Sequence, residues 1–155
     1  MECIERNCSL IVSVVRGHDR AVSRDILDLL FPYDRNVDCF TVSESKICVE
    51  TKLDQETLRA LFTRFPIRNI LSARYIVLSE ELKTGLEESL KNLCIRAAAK
   101  GLRFRKVSVK LKSQDGWRQE YYEQVRRYLL GCANGEGIAS IEKVSCKLVL
   151  TVRLI

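Results

Sequence analysis

The chain has 155 residues and a mass of 17.8 kDa, with 46% hydrophobic residues, 30% charged residues, seven Gly and two Pro. That balance excludes disordered and fibrous classes and leaves room for one medium domain or two small ones. Apolar runs such as Leu10–Val15 and Leu148–Val152 are strand-sized, far short of the roughly 20 residues of a spanning helix. Glu2, Glu5 and Arg6 stand where a signal peptide would need an apolar run, so a cytoplasmic protein without membrane association is expected.

In chain order, Leu10–Arg16 predicts a strand, and the following Gly17-His18-Asp19 opens a helix on which Ala21, Val22, Ile26, Leu29 and Leu30 recur at helical spacing. His18 and Asp19 read as caps of that helix, and Pro32 closes it. Cys39–Val42 and Lys46–Glu50 flank Ser43-Glu44-Ser45 as a β-hairpin. A second helix has Asp54 as N-cap and Leu58, Leu61, Phe62 and Phe65 on one face, with a staple between Leu53 and Leu58. Pro66 ends it, and Ala73–Ser79 follows as a buried strand. The order β-α-β-β-α-β is that of a ferredoxin-like unit.

The second half predicts a helix from about Ser79 to Lys100, striped by Leu82, Leu86, Leu90, Leu93, Cys94 and Ala97 and stopped at Gly101. Phe104–Lys112 alternates Val107, Val109 and Leu111 with Lys106, Ser108, Lys110 and Lys112, so one strand face is core and the other cationic. Ser113-Gln114-Asp115-Gly116 turns into a further helix ending at Gly131. Its core stripe is Trp117, Tyr121, Val125, Tyr128 and Leu129, and Arg118, Tyr122 and Arg126 share the adjacent face. Trp117 is therefore expected mainly in the core, and Tyr122, between two arginines, is the exposed candidate for stacking on a base. The last strand is Lys147–Ile155.

The seven cysteines, Cys3, Cys8, Cys39, Cys48, Cys94, Cys132 and Cys146, form no CxxC pair, and His18 is the only histidine. No metal site is expected, and most cysteines read as small buried apolar residues. Disulfides stay open for a hyperthermophilic cytosol. No Ser-His-Asp or Cys-His set can be assembled around His18, and Gly131, Gly135 and Gly137 are too isolated to cradle phosphate. Glu80-Glu81 and Glu87-Glu88 suit a helix start, where negative charge favours the dipole. No catalytic residue and no cofactor are expected, so the chain reads as a non-enzyme.

Charge divides the chain unevenly. Residues 1–80 carry 11 Lys/Arg against 12 Asp/Glu, and residues 81–155 carry 15 against 8. Between Arg96 and Arg127 ten cations face only Asp115, Glu120 and Glu123. That asymmetry is the footprint of a nucleic-acid binder, and the candidate RNA contacts are Arg103, Arg105, Lys106, Lys110, Lys112, Arg118, Tyr122 and Arg126.

The stretches Leu10–Leu30, Leu53–Ser79, Phe104–Leu130 and Lys147–Leu154 together resemble a THUMP domain behind a ferredoxin-like one: helix, polar strand, basic turn, helix, strand. Leu111 interrupts the basic cluster of FRKVSVKLK and Gly116 comes late, a departure from the family's run. The resemblance implies an α/β (α+β) protein with an N-terminal ferredoxin-like domain at 1–78 and a THUMP-like RNA-binding domain at 79–155. It also implies tRNA as the ligand. The family occurs in tRNA-modifying systems, and this chain is most similar to the adaptor type that assists tRNA cytidine acetylation by a separate enzyme. The alternative is a ferredoxin-like protein-interaction or ligand-sensing module without RNA binding.

Overall fold

The computed structural model describes residues 6–82, 85–131 and 137–155. The chain is mixed α/β and divides into two compact units, one of residues 6–76 with Arg153–Ile155 and one of Val77–Val152. The sequence pattern placed the boundary at 78/79. The units divide inside a strand two residues earlier, and the last three residues return to the first unit.

The first unit runs β1 (Leu10–Val14), α1 (Asp19–Leu30), β2 (Asp38–Ser43), β3 (Lys46–Glu50), α2 (Gln55–Arg64) and the first part of β4 (Ile70–Glu81). Its strands lie in the order β2-β3-β1-β4, each pair antiparallel, which is the ferredoxin-like arrangement. Val22, Ile26 and Leu30 form the buried stripe of α1 and pack with Leu58, Leu61 and Phe62 of α2 over Leu10, Val12, Ile47 and Val49. Asp54 caps α2, accepting from the Thr57 N–H at 2.8 Å. His18 occupies the N-cap position of α1 but makes no side-chain cap. Its Nδ1 lies 3.1 Å from Asn69 Nδ2 instead, because the α2–β4 loop passes beside it.

The second unit continues β4 to Glu81 and adds α3 (Leu86–Ala99), β5 (Lys106–Lys110), α4 (Tyr122–Leu129), β6 (Ile138–Val144) and β7 (Lys147–Arg153). The strand order is β4-β7-β6-β5, with β5 and β6 parallel and β6 and β7 antiparallel. Leu86, Leu90, Leu93, Cys94 and Ala97 of α3 pack with Val125 and Leu129 of α4 against Val107, Ile141, Leu148 and Leu150. Gly101, with φ of +74°, ends α3 in the left-handed conformation that a side chain disfavours.

Three expectations change. The helix predicted from Ser79 begins at Leu86, because residues to Glu81 stay in strand pairing and the Leu82 N–H donates to the Cys146 carbonyl at 2.9 Å. Glu80 therefore serves no helix dipole and pairs with Arg96 at 2.6 Å. The helix predicted from Gly116 begins at Tyr122, after two short 3-10 turns at Ser113–Asp115 and Gln119–Tyr121. Strand β6 was not foreseen from the sequence.

The cysteines also differ. Cys8 and Cys48 form a disulfide with Cα atoms 5.5 Å apart, within the span a bridge requires, and Cys146 is disulfide-bonded as well. Only Cys39 and Cys94 are free among the described residues, and burial pushes both thiols up to about 12. Cys3, Cys132 and Gly135 lie outside the described residues.

One buried carboxylate organises the first unit's loops. Asp34, 2% exposed, accepts from Thr51 Oγ1 at 2.7 Å, the Lys52 N–H at 3.0 Å and the Asn36 N–H at 3.1 Å. The Thr51 hydroxyl and then the Lys52 amide hold its pKa below the usual carboxylate value. With the folded pKa below the unfolded one, its contribution is present above the unfolded pKa and is lost as pH falls through the folded value. Asp34→Ala, which strands three donors, should cost roughly 1–3 kcal/mol at neutral pH. Urea denaturation should show the gap to wild type narrowing in acid, and an equal gap at both pH values would contradict an ionic role.

Candidate nucleic-acid interface

The second unit gathers its cations where α3, α4 and the segment entering β5 converge. A surface concavity of about 910 Å³ is walled by Lys91 of α3, Arg105 before β5, and Arg126 and Arg127 of α4, with Glu87 and Glu123 as its acidic members. Glu123 pairs with Arg126 at 3.5 Å across an exposed helical step, an ion pair that contributes little. Lys91, Arg105 and Arg127 are exposed and take part in no ion pair among the described residues. On the same wall the Gln124 Oε1 is buried without a hydrogen-bond partner.

A second concavity of about 910 Å³ adjoins the first, sharing Glu87 and Lys91. The start of α3 forms one side, and the Ser113–Tyr121 segment with Gly116, Trp117 and Arg118 forms the other. Trp117 and Tyr121 meet edge to face with ring centroids 6.0 Å apart. Asp115 accepts from the Lys112 N–H at 3.1 Å and lies 3.7 Å from Lys143 Nζ, which pins this segment.

The expected contact residues thus fall into separate groups. Arg105 and Arg126 share the first concavity, and Arg118 lines the second. Lys106 and Lys110 are exposed on one face of β5, with Ser108 between them 3.2 Å from Ser140 Oγ, and Lys112 is exposed just beyond. None of these three lysines lines either concavity. Arg103 is a helix cap: its guanidinium donates to the carbonyls of Tyr128 and of Arg127 at the C-terminus of α4.

The shared face expected for Arg118, Tyr122 and Arg126 does not exist. Arg118 lies in extended backbone, with φ −126° and ψ 144°, four residues before the helix starts. Tyr122 is half-buried against the core, as are Trp117 and Tyr121, and of the three only Trp117 and Tyr121 line the second concavity. Lys91 and Asn92 were missed because their stretch of α3, with Glu87 and Glu88, carries no excess of positive charge. Arg127 belonged to the recognised charge excess, and only the helix phase aligns it with Arg105.

Among the described residues no group of three or more His, Cys, Asp or Glu is placed to hold a metal ion, and no helix is long and apolar enough to cross a membrane.

No protein-family model matches the chain, and no curated protein matches it in sequence. Solved structures share its fold. TrmN from Thermus thermophilus superposes with a TM-score of 0.60 at 11% identity, over 96% of this chain and 46% of that one. A possible methylase from Clostridium difficile 630 gives 0.57 at 15%, over 96% and 41%. A predicted N6-adenine-specific DNA methylase from Listeria monocytogenes gives 0.54 at 11%, over 96% and 40%. At such identities the likeness is one of fold, and the chain spans less than half the length of these three proteins.

Arg103→Ala should lower stability by about 0.3–1 kcal/mol through removal of the helix cap, whereas Lys106→Ala should leave the thermal midpoint unchanged. Equal midpoints for the two variants would remove the capping role.

Proposed function

We propose that residues 77–152 form a THUMP-type module that grips tRNA and, as an adaptor, presents it to a modifying enzyme formed by residues other than these. The reading rests on one observation: Lys91, Arg105 and Arg127 line a single concavity without ion-pair partners among the described residues, and with Arg126 they outnumber its carboxylates, Glu87 and Glu123. Guanidinium groups so placed suit phosphate oxygens, which they engage in paired, charge-assisted hydrogen bonds. The order of helix, basic strand, crossover helix and hairpin, behind a ferredoxin-like unit, supports the THUMP assignment.

The chemistry served is modification of a nucleic-acid base. Two of the solved structures named above are described as methylases, which favours methyl transfer over the cytidine acetylation suggested by the adaptor resemblance. Fold alone does not carry an activity, so the binding experiment decides.

Binding of bulk tRNA should weaken steeply with salt, because each neutralised phosphate releases counterions. Arg105→Glu with Arg127→Glu should weaken it about tenfold or more and flatten the salt slope by about 1 for each phosphate no longer neutralised. Arg20→Glu with Arg24→Glu on α1 serves as the control and should leave affinity within about twofold. Equal weakening by both pairs would mean that the site lies elsewhere, and no binding at low salt would refute the RNA reading.

A further inference from the structure

We infer that one end of the first unit, where β1 stops, α2 ends and β4 begins, is a docking surface for an acidic amphipathic helix of a partner protein. The inference stands apart from the RNA reading and supplies the protein contact that an adaptor needs. Val15, Phe65 and Leu71 are exposed there, three of the seven large hydrophobic side chains so exposed among the described residues. Exposed apolar side chains scattered singly are ordinary, but a gathered set marks contact with another molecule.

Local backbone brings them together and holds them out. The Val15 N–H donates to the Asn69 carbonyl at 2.9 Å, and Asn69 Nδ2 lies 3.1 Å from His18 Nδ1, so the end of β1 is tied to the loop between α2 and β4. Ile67 of that loop packs on the core. Ser13 pairs with Ser72 but Val14 with Ile70, which leaves Leu71 as the extra residue of a bulge, and bulges re-aim side chains. Leu71 is accordingly 64% exposed, the most of any large hydrophobic described. Asn69, two residues earlier, has φ of +70°, a left-handed backbone that is costly for most side chains and that Asn tolerates. A local cost kept where it turns a leucine into water points to a use for that leucine.

Charge selects the partner. Arg16, Arg64 and Arg68 are exposed at the same end. Arg64 and Arg68 have no ion-pair partner among the described residues, and Arg16 meets Glu44 at 3.5 Å in a pair too exposed to hold it. The Arg64 guanidinium lies over the Phe65 ring, 5.4 Å from its centroid, which sets an aromatic anchor beside a cation. Aromatic side chains and arginine are the residues that anchor protein interfaces. Two copies of this surface face to face would set arginine against arginine, so self-pairing is disfavoured. RNA would satisfy the arginines but leave Val15 and Leu71, which offer no ring to a base, without a partner. An anionic bilayer would meet charge and apolarity alike, but three side chains bury too little area to hold it. A helix with apolar residues at i, i+3, i+4 and i+7 and carboxylates along their flanks fits both features.

The probe is a synthetic helical peptide with Leu and Phe on one face and Glu flanking them, titrated without RNA into the full isotope-labelled chain and followed by amide resonances. Those of Val15, His18 and residues 64–71 should shift most. Phe65→Ala should weaken the peptide roughly fivefold or more. Arg64→Glu with Arg68→Glu should weaken it about tenfold or more, while the tRNA affinity of both variants stays within about twofold of wild type. The side chains changed are exposed, so thermal midpoints should match wild type and separate lost docking from lost folding. The same peptide with Lys in place of Glu should not bind. Equal binding of the Lys peptide, shifts centred elsewhere, or no binding of the acidic peptide would overturn the inference. Loss of tRNA affinity in Phe65→Ala would assign the surface to RNA, and binding of phosphatidylglycerol vesicles without binding of the peptide would assign it to lipid; either result overturns the protein partner.

Discussion

The parallel pairing of β5 with β6 is the constraint on which the candidate site depends. Lys106 stands opposite Ile138, and the register continues to Lys110 opposite Glu142. Two parallel neighbours cannot be joined by a tight turn, so the chain must leave the end of β5 and return to the start of β6 across a face of the sheet. That crossing is the segment of Trp117, Tyr121 and α4. Burial of Val125 and Leu129 against α3 fixes its rotation, and the same rotation turns Arg126 and Arg127 toward Lys91 and Arg105. The apolar packing and the cationic surface are two faces of one short helix.

The two units use their cations differently. In the first, Arg6 pairs with Asp38 and Glu50, Arg16 with Glu44 and Arg59 with Glu56, while Arg74 is buried against the hydroxyls of Ser13 and Ser72. Formal charge there is nearly balanced, with 11 Lys/Arg against 12 Asp/Glu in residues 1–80. In the second, Arg96 and Lys143 find carboxylates, but the cations around α4 mostly do not. An excess of positive charge in a sequence becomes a field in space only when partners are withheld from it.

Much of the fold was legible because each element of the first unit carries its own punctuation. Asp54 announces α2, Pro32 and Pro66 close helices, and the Ser43–Ser45 turn separates two runs. The second unit is less explicit. Leu82, Leu86 and Leu90 keep helical spacing across a segment whose first part is strand, and only long-range pairing distinguishes the two. In β6 the residues Ala139 to Glu142 are all buried, so Ser140 and Glu142 interrupt the apolar run that would have marked a strand. Disulfide partners depend on strand register, which spacing between cysteines does not encode. For the site, charge density pointed to Arg105 and Arg126, which the structure brings to one concavity, but roles that depend on where α4 begins and ends stayed hidden. Starting that helix several residues too early brought Tyr122 outward and concealed the capping by Arg103, whereas Trp117 does pack against the core.

The lysines of β5 have a consequence apart from ligand binding. β5 is the outermost strand on its side of the sheet order, and an outer strand presents backbone donors and acceptors that another chain could join. Lys106 and Lys110 are exposed on that strand, and bringing a second β5 alongside would force like charges together and strip their hydration. The same residues that raise the protein's positive potential therefore guard the sheet against edge-to-edge growth into aggregates. Replacing them to improve some other property would open a route to self-association.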